Sequence, residues 1–111
     1  MTIQRFPGSV DTRSRFVVHD GRIFTVATSK SKAPSLYEQT REALAIINSA
    51  LAEAGSSKSK VLSATIFIAE LNRKSEMNLA WDEWVDRENP PQRACIGATL
   101  EGDDLVEILI T

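Results

Sequence analysis

The stretch Leu62-Ser63-Ala64-Thr65-Ile66-Phe67-Ile68-Ala69 decides the fold. Three large apolar residues follow one another at Ile66, Phe67 and Ile68 with little polar interruption, the pattern of a strand covered on both faces. It reads as a buried central strand, and the segments on either side of it read as helices.

Upstream, Leu36, Thr40, Leu44, Ile47 and Leu51 recur at helical spacing. Ser35-Leu36-Tyr37-Glu38 has the spacing of a capping box, in which serine and glutamate satisfy each other's backbone amides, and Gly55 stands where a left-handed residue would end the helix. About twenty residues give roughly 30 Å of amphipathic helix. A small-residue, lysine-bearing connector over 56–60 leads into the strand. Downstream, Met77, Ala80, Trp81, Trp84 and Val85 repeat at i, i+3, i+4, i+7 and i+8, which predicts a second helix over 75–85, stopped by Asn89-Pro90-Pro91.

The ends of the chain are β-rich. Residues 15–19 and 22–28 flank Asp20-Gly21, a pair that favours positive φ, and predict a hairpin. Residues 92–100 and 105–111 flank Glu101-Gly102-Asp103-Asp104 and predict a second hairpin that closes the chain. The order is ββαβαββ, an α+β domain occupying 1–111, with a mixed sheet and both helices on one face. The other face keeps apolar residues that a chain of 111 residues cannot cover alone, so self-association through the sheet is expected.

Composition narrows the function. With 13 basic against 15 acidic residues and a net charge of -2, no clustered basic excess suits a phosphate backbone, so no nucleic-acid partner is expected. One cysteine, Cys95, and one histidine, His19, argue against a disulfide and against zinc or another metal site. Residues 1–7 lack a long apolar run, so no signal peptide or membrane span is indicated, and a cytoplasmic location is expected.

Arg93, Cys95 and Gly97 fall on one face of their strand, and Ala94, Ile96 and Ala98 on the other. A guanidinium held on a strand just after Pro90-Pro91 can bind a planar carboxylate through two parallel hydrogen bonds, although arginine near a strand end is most often solvated or ion-paired. Glu107 interrupts the apolar run between Val106 and Ile108 and is paired, exposed at a rim or functional. Cys95 reads as a small buried hydrophobe, His19 as an exposed residue before a turn, and Trp81 with Trp84 as packing. Lys30 and Lys32 read as a solvated loop that can also steer an anion.

Leu71-Asn72, Asn78 in the second helix, Trp81 and Trp84, Pro91-Gln92-Arg93-Ala94-Cys95 and Val106-Glu107-Ile108 together resemble the Rid (YjgF-type) enamine/imine deaminase family. The resemblance extends upstream through Glu38-Gln39-Thr40, Leu51-Ala52-Glu53-Ala54-Gly55 and the central strand, covering 15–110. It implies a chorismate-mutase-like fold assembled as a homotrimer, with ligand pockets between neighbouring subunits and no cofactor. The implied reaction is hydrolysis of 2-imino and enamine acids of the 2-aminoacrylate class to 2-keto acids and ammonia. By the same resemblance Arg93 would anchor the substrate carboxylate, Cys95 would contact the ligand through its backbone, Asn78 would line the pocket, and Glu107 would position or activate water.

Two positions depart from the family pattern. Ala27-Thr28-Ser29 stands where the familiar members carry Ser-Gly-Gln, leaving Thr28 or Ser29 to replace the hydroxyl at the substrate, and no tyrosine stands before the first hairpin, so Phe16 is the aromatic expected to contact the substrate. A non-catalytic trimeric carboxylate-binding protein is therefore the alternative, and a chorismate-mutase-like isomerase a weaker one. A turn near Gly102 and Asp103 would pair Glu107 with Gly97 or Ala98, roughly 15 Å along the strand from Arg93. On that arithmetic the two residues serve one pocket from different subunits.

Overall fold

The structure, a computed structural model, describes residues 2–111. Its central strand β4 (Ser63–Ile68) buries Ala64, Ile66 and Ile68 on one face and leaves Ser63, Thr65 and Phe67 half-exposed on the other. Helix α1 (Leu36–Glu53) covers the first face with Leu36, Thr40, Leu44, Ile47 and Leu51, all buried as their spacing predicts. Ser35 caps it by accepting a hydrogen bond from the Glu38 amide at 3.1 Å, while the Glu38 carboxylate lies 3.6 Å from Arg41. Gly55, at φ +81°, follows the helix as expected. Helix α2 (Lys74–Trp84) adds Met77, Ala80, Trp81 and Trp84 to the same layer.

Strands β2 (Ser14–His19) and β3 (Arg22–Thr28) form the expected hairpin, with both turn residues at positive φ, Asp20 at 51° and Gly21 at 75°. A strand not anticipated from the sequence, β1 (Gln4–Pro7), pairs antiparallel with β2. It is four residues long and ends in proline, as an edge strand can.

The predicted second hairpin does not form. β5 (Gln92–Gly97) runs parallel to β4, and β6 (Val106–Ile110) lies between β3 and β4, giving one six-stranded mixed sheet of order β1-β2-β3-β6-β4-β5. The physical reason is burial. Val106, Ile108 and Ile110 are all buried and take a central position, whereas the eight residues 98–105 are too long for a tight turn and carry the chain past β4. The β4-α2-β5 segment is a crossover unit, the connection that neighbouring parallel strands require.

Both helices pack on one face of this sheet. The other face presents Phe24, Val26, Ile96 and Leu109 with 41–46% of each residue's surface exposed. That is a wide unpartnered apolar surface for a chain of this size.

Candidate active site

Arg93 lies opposite Ala64 in the β4–β5 register and Cys95 opposite Ile66, so both side chains point toward the helix layer. The Arg93 guanidinium rests on α2, with Nη1 3.8 Å from the Met77 sulfur and Cζ 5.5 Å from the centre of the Trp81 ring. It makes no ion pair among the described residues. A half-buried guanidinium braced on an aromatic ring and a thioether keeps its planar donors for a ligand.

The edge position of β5 matters as much as the side chain. Gln92 donates to the Leu62 carbonyl at 3.1 Å and Ala98 to the Ile68 carbonyl at 3.0 Å. By strand alternation the amides and carbonyls of Arg93 and Cys95 then point away from β4, toward the open edge. The free thiol of Cys95 itself packs against the core. Asn78, on α2 next to Met77, holds a buried side-chain oxygen with no hydrogen-bond partner. Such an atom costs about 1–3 kcal/mol until an N–H or O–H reaches it.

Glu107 sits elsewhere. It lies opposite Thr28 of β3 and Phe67 of β4, on the sheet face that the helices leave bare. Through Phe67 it is level with Ile96, three residues past Arg93 and two strands across. That is roughly 10 Å along and roughly 10 Å across, with the two side chains on opposite faces. The pairing with Gly97 or Ala98 expected from the sequence is thus replaced, and one chain cannot bring both groups to one small acid.

Glu107 and Thr28 line a cleft of about 410 Å³ together with Arg13, Arg15, Glu101 and Asp104. The loops around it are pinned from α1. Gln39, fully buried, donates to the carbonyls of Ala33 (2.7 Å) and Asp103 (3.0 Å) and accepts from the Leu105 amide (2.8 Å). Glu42 accepts from the Ser31 hydroxyl and amide and from the Lys30 amide, and these bonds hold its carboxyl below the usual carboxylate range. Lys32 bridges Thr28 (3.3 Å), the Ser29 carbonyl (2.6 Å) and Asp104.

Residues 2–111 match the family described as Endoribonuclease L-PSP. A RutC family protein of Haemophilus influenzae is 41% identical over 106 residues, spanning 90% of this chain and 87% of that one. The chain belongs to the Rid/YjgF family. A RutC family protein of Escherichia coli K12, YoaB, is 36% identical over 103 residues, with 90% of this chain and 87% of that one aligned. Among solved structures, a YjgF family member from Neisseria meningitidis superposes with a TM-score of 0.92 at 37% identity, covering 99% of this chain and 92% of the other.

Against the Rid/YjgF pattern, one sequence expectation changes and another narrows. Phe16 is 1% exposed and stacks on Phe6 with ring centres 4.2 Å apart, so its ring is core and offers no surface to a substrate. Its strand alternation puts it on the helix side, opposite Thr25. Ala27, where the usual serine stands, turns its methyl into the core. Of Thr28 and Ser29, it is Thr28 that lines the cleft, while Ser29 is buried. Sequence reasoning passed over Arg13 and Arg15, because the turn that brings residues 8–13 to the cleft depends on β1.

Proposed function

We propose that this Rid/YjgF protein hydrolyses small 2-imino and enamine acids to 2-keto acids and ammonia, in homotrimers whose sites are shared by neighbouring subunits. One observation carries the reading: Arg93, half-buried on an open strand edge, makes no ion pair among the described residues. The opposite-face placement of Glu107 supports the sharing, since a second copy seated on the bare apolar face can supply it beside a neighbour's Arg93.

In this reading the guanidinium grips the α-carboxylate with the outward amide of Cys95, and the unpartnered oxygen of Asn78 accepts a hydrogen bond from the substrate's imine N–H. Carbon protonation converts an enamine to the iminium. Water held by the Glu107 carboxylate adds to the iminium carbon and gives its proton to the carboxylate. The resulting carbinolamine receives that proton on nitrogen, and as the carbon–nitrogen bond breaks its hydroxyl proton passes to the Glu107 carboxylate, releasing ammonia and the keto acid. Thr28 supplies a hydroxyl to the same cleft.

The second reading, a trimer that binds carboxylates without turnover, is favoured by Ala27, whose methyl replaces the family's serine hydroxyl. Release of keto acid and ammonia from enzymatically generated imines, compared for wild type, Arg93→Ala and buffer, separates the two. Acceleration by wild type alone supports the deaminase. Equal rates in all three refute it, and carboxylate binding by wild type without acceleration leaves the binding protein.

A further inference from the structure

The geometry points to Arg13 as a second anion anchor in the Glu107 cleft, so that the site takes imines of amino acids with an acidic side chain. This rests on the reading that Glu107 meets a neighbour's Arg93.

Six side chains of the cleft carry the argument: Arg13, Arg15, Thr28, Glu101, Asp104 and Glu107. Arg15 is engaged, giving Nε to the Pro7 carbonyl at 2.7 Å and both terminal nitrogens to Glu53 at 3.1 Å. Asp104 and Thr28 are engaged by Lys32. Arg13 makes no ion pair among the described residues, and neither does Glu107. The cleft thus offers one uncommitted guanidinium and two uncommitted carboxylates, of which Glu101 stands at the exposed rim and Glu107 is half-buried. A ligand with an iminium for Glu107 and a carboxylate for Arg13 matches that pair, and its α-carboxylate remains for the neighbour's Arg93.

The position of Arg13 is built into the turn that follows β1. A Cβ at Gly8 would fall 2.6 Å from the Arg13 carbonyl oxygen, so only glycine lets the two ends of the 8–13 turn close to this distance. Arg15, bonded to Pro7 and Glu53, ties the same turn to α1. The guanidinium therefore hangs from an anchored turn.

The test uses the assembled protein and two pairs of probes. Imines formed in situ by amino-acid oxidases from glutamate and from 2-aminobutyrate give a ratio of kcat/KM values. Calorimetric titration with 2-oxoglutarate and 2-oxobutyrate gives a ratio of Kd values. Arg13→Ala is expected to lower the preference for the dicarboxylic member by roughly tenfold to a hundredfold in both ratios, with partial recovery in Arg13→Lys. Gly8→Ala is expected to lower it with the guanidinium still present. Unchanged ratios in Arg13→Ala overturn the proposal. If wild type hydrolyses neither imine yet shows an Arg13-dependent preference for 2-oxoglutarate, the anchor stands and the deaminase reading fails. If Arg93→Ala weakens both acids and Arg13→Ala changes neither preference, Arg93 stands alone and Arg13 is refuted.

Discussion

Leu109→Asp is expected to take the assembly apart while leaving the protomer folded. Leu109 is in β6, opposite Val26 and near Thr65 of β4, with 41% of its surface open on the face away from the helices. Complete burial of a leucine side chain is worth roughly 1.5–3 kcal/mol, so covering the open share contributes about 1 kcal/mol per subunit. An aspartate there loses that contribution, and a carboxylate sealed under a neighbour without a cation costs several kcal/mol more. A net loss of about 3–5 kcal/mol per contact lowers the association constant by roughly a hundredfold to several thousandfold. Light scattering coupled to size exclusion should give wild type at roughly three times the 12.3 kDa chain mass and the variant at 12.3 kDa. Far-ultraviolet circular dichroism should be unchanged, because the core lies on the opposite side of the sheet. A variant that keeps the wild-type mass, or a wild type that runs as one chain, would refute the reasoning.

Three further outcomes are expected. Gln39→Leu removes three hydrogen bonds that join α1 to the loops at Ala33, Asp103 and Leu105, and it should destabilise the fold by about 2–4 kcal/mol in urea unfolding. Hydrogen bonds from the Ser59 and Asn89 side chains and the Glu88 amide lower the Asp86 carboxyl to about 2, below its unfolded value. A depressed carboxyl stabilises above the unfolded pKa and loses that contribution as pH falls through the folded one, so the difference in Tm between wild type and Asp86→Asn should vanish between about pH 4 and pH 2. Structured and single-stranded RNA should stay intact on incubation with the protein, despite the family's description, since a net charge of -2 gives phosphate little to bind; cleavage that tracks the purified protein would contradict this.

What could be read from the sequence depended on how local its cause was. Helix α1 was legible because Ser35, the five apolar positions and Gly55 act within a few turns, and the first hairpin because Asp20-Gly21 sets its own φ values. Strand pairing was harder to read. Both β5 and β6 are visible as apolar runs, but whether they pair with each other depends on β4 offering both its edges, a long-range choice that no short window records. The four residues of β1 carry no periodicity at all, and with them went the turn that brings Arg13 to the cleft. For the candidate site, alternation correctly grouped Arg93 with Cys95, yet the hairpin assumption placed Glu107 beside the wrong strand. The expectation that the two serve a pocket from different chains survives as a proposal on other grounds, their opposite faces. Phe16 is aromatic and lies in the first hairpin, which suggests a substrate contact, but its strand phase buries it.

The shared site is tested most directly by mixing two inactive proteins. Arg93→Ala and Glu107→Gln are each expected to lack imine hydrolysis, and each keeps the group that the other has lost. Co-expressed in equal amounts and assembled at random into trimers, a site that takes Arg93 from one subunit and Glu107 from the next is intact in about a quarter of cases, so about a quarter of wild-type activity should return. If the mixed trimers form and remain as inactive as the two parents, Arg93 and Glu107 do not meet across subunits, and the shared site is wrong.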